Sequence, residues 1–361
     1  MGPVVFQLND LGGRTRPLRL QMRRFRSVPM KKKLVLTLGL LTASLLAQVA
    51  APAKYKVAVP AHENEILPLL NGLAEQGYRL VAMGPAAILK LEPPASGHYQ
   101  YDLVAHQRDP DKFFKALNEQ GEQGYRWVPF SPLTEKSPQA TKYRYLKAPH
   151  GQFGPAKAPA ISSAEAEGFR PVSVVYFEQI IRGQFELVME QEAQSTKNAS
   201  LGPLEIVDAM REEGVMKHVD ELAKQGYRFV SPNVCSRGGC LGLIMEKCAP
   251  GCGGPYEYRY FDAKNPAQAE QDLNALGKDG FRIVPAALRT KPHLLERDPN
   301  SKQAFSYRVL EAKDVAGLEK AVNDADREGY EPVGYVGHIH MLVPDFYLVL
   351  ENPIAQAGTS R

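Results

Sequence analysis

Six times along the chain a glycine is followed by an aromatic residue and, four places after the glycine, by valine: EQGYRLV at Gly77, EQGYRWV at Gly124, AEGFRPV at Gly168, KQGYRFV at Gly226, KDGFRIV at Gly280 and REGYEPV at Gly329. The spacing runs from 44 to 58 residues. A motif recurring at that period marks a chain built from one small unit, in which neighbouring copies bury what a single copy cannot.

Each glycine closes a stretch of helical periodicity, such as Val315, Leu318, Val322 and Ala325, or Ala269, Leu273 and Leu276. It therefore stands where a helix ends on a left-handed residue. Asp109-Pro110 and Asn265-Pro266 read as helix starts, a capping side chain followed by proline in the first turn. An aromatic strand of period two precedes the helix, as in Tyr256, Tyr258 and Tyr260, and two strands follow it, the second exemplified by LIMEK (Leu243 to Lys247) and FYLVLE (Phe346 to Glu351). The expected class is α+β: tandem β-α-β-β repeats forming mainly antiparallel sheets, with helices packed on a face.

The copies also match in pairs. The first resembles the fourth across Leu70–Arg79 and Val219–Arg228, and the second resembles the fifth through Leu117-Asn118 with Gly121, against Leu273-Asn274 with Gly277. The third and sixth share Pro171-Val172 and Pro332-Val333. This predicts a duplicated three-unit ancestor, with pseudo-equivalent halves at 54–198 and 199–353 and a tail at 354–361. LNALGKDGFRIV with LLER, preceded by YEYRYF, resembles a small bacterial domain family of unknown function whose single copies run strand, helix, Gly-aromatic strand, strand. The resemblance implies a fold and carries over no catalytic residue.

Arg79, Arg126, Arg170, Arg228 and Arg282 share one repeat position, taken by Glu331 in the sixth unit, and Glu92, Glu135, Glu190, Glu246, Glu296 and Glu351 lie near the ends of the last strands. The expectation is a cross-strand ion pair within each unit, with Arg308 the candidate cation for the sixth. Six equivalent carboxylates point to structure rather than to a catalytic site. The Gly-aromatic strand is apolar on both faces, so both must be covered. The competing reading of Trp127 and the tyrosine rows as a sugar-stacking platform ranks below core packing.

Cys235, Cys240, Cys248 and Cys252 fall within one unit. In an exported chain they favour two disulfides, 235 to 240 and 248 to 252, over zinc. The strand from Cys240 to Cys248 spans ~25 Å and forbids that pairing. His338 and His340 share a strand face, with Asp345 nearby, but no third metal ligand is evident. No GxSxG, HExxH, P-loop or GxGxxG pattern occurs in the chain.

The net charge of +4 resides in the leader, since residues 1–53 hold nine Lys and Arg against Asp10, leaving −4 for the remainder. An acidic body has no counterion-release drive toward nucleic acid, which is excluded as a partner. Met30, Lys31 to Lys33, the apolar run Leu34 to Leu46 and the small residues Ala47, Ala50, Ala51 and Ala53 read as a secretory signal over 30–53. Residues 1–29 read as an upstream extension outside the mature protein. The expectation is a periplasmic or secreted chain with no integral membrane segment after signal removal. It is read as a non-enzymatic binding or scaffold protein, with no cofactor, whose partner is a protein or a small-molecule or carbohydrate ligand. The alternative is an extracytoplasmic enzyme, a metal-assisted hydrolase in particular, with its site near His338, His340 and Asp345.

Overall fold

The computed structural model describes residues 52–60, 62–104, 109–129, 131–139, 141–148, 163–177, 184–193, 204–209, 212–234, 241–248, 254–262, 265–288, 293–311, 314–340 and 343–354. Residues 1–51, which hold all but the last two residues of the stretch 30–53 read as a secretory signal, lie outside the described residues.

Six modules follow one another, each a strand, a helix and two more strands. The first holds β1 (Tyr55–Ala58), α1 (Ile66–Ala74), β2 (Tyr78–Met83) and β3 (Ala87–Leu91); the second, β4 (Gln100–Leu103), α2 (Pro110–Glu122), β5 (Tyr125–Trp127) and β6 (Leu133–Lys136). The third holds β7 (Tyr143–Ala148), helix α3, described over 163–166, β8 (Arg170–Phe177) and β9 (Gln184–Glu192). The fourth comprises β10 (Leu204–Ala209), α4 (Glu212–Lys224), β11 (Tyr227–Val234) and β12 (Leu241–Lys247). The fifth comprises β13 (Glu257–Phe261), α5 (Pro266–Lys278), β14 (Arg282–Ile283) and β15 (His293–Arg297). The sixth ends the series with β16 (Ala304–Glu311), α6 (Val315–Arg327), β17 (Glu331–His340) and β18 (Val343–Ile354). Every sheet has three strands with the last one central, as in β1-β3-β2, and the strand pairs among the described residues are antiparallel. The fold is α+β.

Local chemistry accounts for the helix ends. Asp109 accepts a hydrogen bond from Asp111 N at 2.9 Å and Asn265 from Gln268 N at 2.9 Å, with Pro110 and Pro266 in the first turn. The six motif glycines all have positive φ, from +85° to +95°, a conformation that costs any other residue strain.

The double-sided apolar strands are explained by helices shared between neighbours. Each helix lies between its own sheet and the sheet of the next module. Thus α5 contributes Ala269 and Leu273 to a core that joins Phe281, Ile283 and Leu295 of its own module to Tyr307, Val309, Tyr347 and Val349 of the sixth. Alternate residues of β18, Leu348 and Leu350, face the other way onto Leu318, Val322 and Ala325 of α6, as the period-two geometry of a strand requires. The same alternation places Ile66, Leu70 and Ala74 against Tyr101 and Leu133 of the second module, and Phe113 and Leu117 against Tyr145, Phe177 and Val188 of the third.

The series closes on itself. The core around α6 is completed by Tyr55, Val57, Ala82 and Ile88 of the first module. The last helix meets the first sheet as each earlier helix meets the sheet that follows it, so residues 53–354 form a cycle of six modules.

The repeated valine is part of this packing. Val81, Val172, Val230 and Val333 are the extra residues at register shifts in β2, β8, β11 and β17, that is, β-bulges, which re-aim a side chain. Val81 packs against the closing core, Val172 against that of the second and third modules, and Val333 against that of the fifth and sixth. These three bulges turn their valines back toward the preceding module.

Candidate functional site

The polar residues that repeat along the chain meet at the module boundaries. At four of the six boundaries one arrangement recurs. Tyr101 Oη accepts from Leu80 N at 2.7 Å and donates to Glu135 at 3.0 Å; Tyr145 Oη accepts from Trp127 N at 2.8 Å and donates to Glu190 at 3.1 Å. Tyr258 serves Phe229 N and Glu296, and Tyr307 serves Ile283 N and Glu351. The carboxylate so oriented takes the arginine of the preceding module: Arg79–Glu135 2.9 Å, Arg126–Glu190 2.8 Å, Arg228–Glu296 2.8 Å and Arg282–Glu351 2.8 Å. Each of these guanidiniums also lies over an aromatic ring of the following module, namely Tyr99, Tyr143, Tyr256 or Phe305.

The expected cross-strand pair within a unit is therefore corrected. Arg126 and Glu135 are register partners, yet each ion-pairs across a module boundary, because the shared helix brings the next sheet close to the start of the Gly-aromatic strand. Glu92 is not the sixth carboxylate; Lys90 occupies that register position, opposite Arg79. Glu331 does stand opposite Glu351. Its cation is Lys90 at 2.8 Å rather than Arg308, which pairs with Glu328.

A second device, not singled out from the sequence, binds helix to next strand. Asn71 accepts from Tyr101 N at 2.8 Å and donates to Tyr101 O at 2.9 Å. Asn118 does the same for Tyr145, Asn274 for Tyr307 and Asn323 for Tyr55. One primary amide thus completes both backbone groups on the free side of an edge strand. Its only sequence signal was an asparagine six places before the glycine in four units. Glu270 and Glu319 add a bond to Val309 N and Val57 N. Close approach of the next strand also requires Gly121 and Gly277, where a Cβ would lie 2.3 Å from Tyr143 O and 2.4 Å from Phe305 O.

The two remaining boundaries, third to fourth and sixth to first, depart together. Pro171 and Pro332 stand where the other modules offer the N–H to tyrosine, and proline has none. At the third-to-fourth boundary Leu204 occupies the tyrosine position, opposite Glu246. At the closing one the tyrosine persists, and Tyr55 Oη is buried without a hydrogen-bond partner.

Electrostatics reflect this burial. The hydroxyls of Tyr101, Tyr145, Tyr258 and Tyr307 are pushed far above the ordinary phenol range by desolvation and then by the adjacent carboxylate, so they remain donors. Burial raises Glu351 despite Arg282. At the third-to-fourth boundary Arg170 lies 3.2 Å from Glu246 and 3.5 Å from Glu165. Desolvation, reinforced by Glu246 and opposed by Arg170, brings Glu165 up to about 7.

Two open clefts border these contacts. One, of about 510 Å³, lies between the fourth and fifth modules and is edged by Arg228, Glu246, Arg282 and Glu296. The other, of about 790 Å³, is bordered by the fifth, sixth and first modules, with Pro285, Val81, Pro332 and Pro353 among its apolar walls and Lys54, Asp326 and Glu331 among its charges.

Trp127 is 3% exposed and packs edge-to-face on Phe113, and the four boundary tyrosines are likewise buried, so none forms a sugar platform. His338 lies opposite Asp345 and His340 opposite Val343 in the β17–β18 register; their side chains fall outside the described residues, as do Cys235, Cys240 and Cys252. Cys248 follows β12, and its N–H donates to Gly226 O at 2.9 Å. Among the described residues no three His, Cys, Asp or Glu side chains gather at metal-binding distance, and no helix is long and apolar enough to cross a membrane. Comparison with protein-family models, with curated proteins and with solved structures found no match to this chain.

Proposed function

We propose that the chain is an exported, non-enzymatic binding or scaffold protein whose ligand seat is the cleft bordered by the fifth, sixth and first modules. The observation that carries this reading is the use made of the repeated polar residues. Arginine, glutamate, tyrosine and asparagine, the residue types from which a site would be built, are consumed in docking one module on the next. An active site would instead concentrate such groups in one place. What remains for a ligand is concave surface of ligand-sized volume with apolar walls and a few charges, which is the usual make-up of a binding site.

The test is ligand-dependent thermal stabilisation and calorimetry against sugars, amino acids and short peptides, comparing the wild type with Pro353→Arg. Pro353 is exposed and lines the cleft, so the substitution obstructs it while sparing the core. Saturable stabilisation by one class, lost in the variant, supports the reading. Hydrolytic turnover abolished by His338→Ala would contradict it in favour of an enzyme.

A further inference from the structure

Five boundaries place an arginine of one module against a carboxylate of the next: Arg79–Glu135, Arg126–Glu190, Arg170–Glu246, Arg228–Glu296 and Arg282–Glu351. The closing boundary has both signs inverted. Glu331 takes the arginine position and Lys90 the glutamate position, 2.8 Å apart, with Lys54 at 4.0 Å from the same carboxylate. One reversal alone would leave like charges in contact; the two together restore attraction. We propose that this doubly reversed pair determines which modules close on one another, so that the chain shuts into one six-module cycle rather than assembling with a second copy of itself.

The alternative it excludes follows from the fold. Three modules make half of a cycle, and the third-to-fourth and closing boundaries are alike in carrying Pro171 and Pro332 where the other four offer a backbone N–H. Two chains have the modules to build two cycles, one from both sets of modules one to three and one from both sets of modules four to six. That dimer replaces the native contacts by third-to-first and sixth-to-fourth contacts. Each third-to-first contact brings Arg170 to Lys90, and each sixth-to-fourth contact brings Glu331 to Glu246. The latter also carries Glu319, which binds the Lys56 ammonium at 2.8 Å in the native closure, to Glu205. Glu205 is the counterpart of Lys56, since Leu204 faces Glu246 as Tyr55 faces Lys90. These three contacts, all peculiar to the dimer, are like-charged. Discrimination between partners arises from the repulsive contact as much as from the attractive one, and charges at a docking edge act on encounter as well as on the final complex.

The decisive variant is the full-length Lys90→Glu/Glu331→Arg double substitution. It keeps the closing pair attractive in the opposite sense, and it turns the contacts of positions 90 and 331 with Arg170 and Glu246 attractive in the dimer, leaving Glu319 against Glu205 as in the wild type. Wild type and variant are refolded from urea without reductant at a series of protein concentrations, and mass is read by light scattering after size exclusion. The expected result is monomer alone for the wild type, and for the variant a dimer fraction that rises with concentration to several-fold above the wild type. Simple exchange of chain ends uses the native closing contact and would give equal dimer in both proteins, so the difference isolates the role of charge. The single substitutions Lys90→Glu and Glu331→Arg each leave like charges at the closure and should lower the midpoint of thermal unfolding, with recovery in the double variant. A double variant that refolds to monomer as completely as the wild type at every concentration overturns the proposal. So does wild-type dimer equal to that of the variant.

Discussion

Asn323→Ala removes the amide that ties the last helix to the first strand. The side chain accepts from Tyr55 N at 2.9 Å and donates to Tyr55 O at 2.9 Å, while Tyr55 itself is fully buried. Each bond is worth about 1 kcal/mol net, and a donor or acceptor left unsatisfied in a partly buried setting costs ~1 to 3 kcal/mol. Truncating the side chain opens room for water to satisfy the two groups in part, and the expected loss is about 2 to 3 kcal/mol. Asn323→Asp keeps the acceptor for Tyr55 N but sets a carboxylate against Tyr55 O, so it should recover little. The assay is urea unfolding followed by fluorescence, together with amide exchange at Tyr55, which should accelerate more than exchange at Tyr145, two modules away. A loss under about 0.5 kcal/mol, or unchanged exchange at Tyr55, would refute the reasoning, since the amide would then not be holding the closure.

Three further outcomes are expected. Tyr145→Phe should cost ~2 kcal/mol, because it strands Trp127 N and a bond to Glu190, whereas Tyr55→Phe, whose hydroxyl has no partner, should be neutral or stabilising by the same urea assay. Glu165, raised in the folded state to about 7, binds its proton more tightly there than in the unfolded chain, so its contribution to stability falls as pH rises from about 4.5 to 7 and is level above; Glu165→Gln should flatten that part of the stability profile. Mass spectrometry of a non-reduced digest should find Cys235 joined to Cys240 and Cys248 to Cys252, and four free thiols would remove this pairing.

What the sequence revealed of this architecture was what is decided locally. The motif glycines announce a left-handed helix end because that conformation depends on one residue, and Asp109-Pro110 and Asn265-Pro266 announce helix starts within a single turn. Period-two aromatic runs disclosed the strands, and the double-sided apolar pattern disclosed that both faces are covered. Which surface covers them was not visible, because Leu348 and Val349 are adjacent in the chain but belong to cores shared with different modules. The Arg–Glu pairs were assigned to the wrong partners for the same reason. Strand register suggests a neighbour such as Arg126 to Glu135, while the docking of the next module supplies the actual one, Glu190. Glu92 follows the last residue of β3, Leu91, and does not hold the repeated carboxylate position, because pairing with β2 sets Lys90 opposite Arg79, a register that the residues alone do not fix. Asn71, Asn118, Asn274 and Asn323 stood in plain sight as a repeated polar residue on an otherwise apolar helix face, the signal from which the backbone clamp was readable.

Closure of the sixth module on the first is the claim on which the account rests, and it joins residues more than 200 positions apart: Lys54 to Asp326 at 2.5 Å, Lys56 to Glu319 at 2.8 Å and Lys90 to Glu331 at 2.8 Å. Zero-length carbodiimide coupling of the native monomer, read by peptide mass spectrometry, tests it directly. Amide links between these lysines and these carboxylates are predicted at yields comparable to the Lys142–Glu122 link, a pair 3.0 Å apart at an interior boundary. Recovery of the Lys142–Glu122 link with none of the three closing links would contradict the closed cycle.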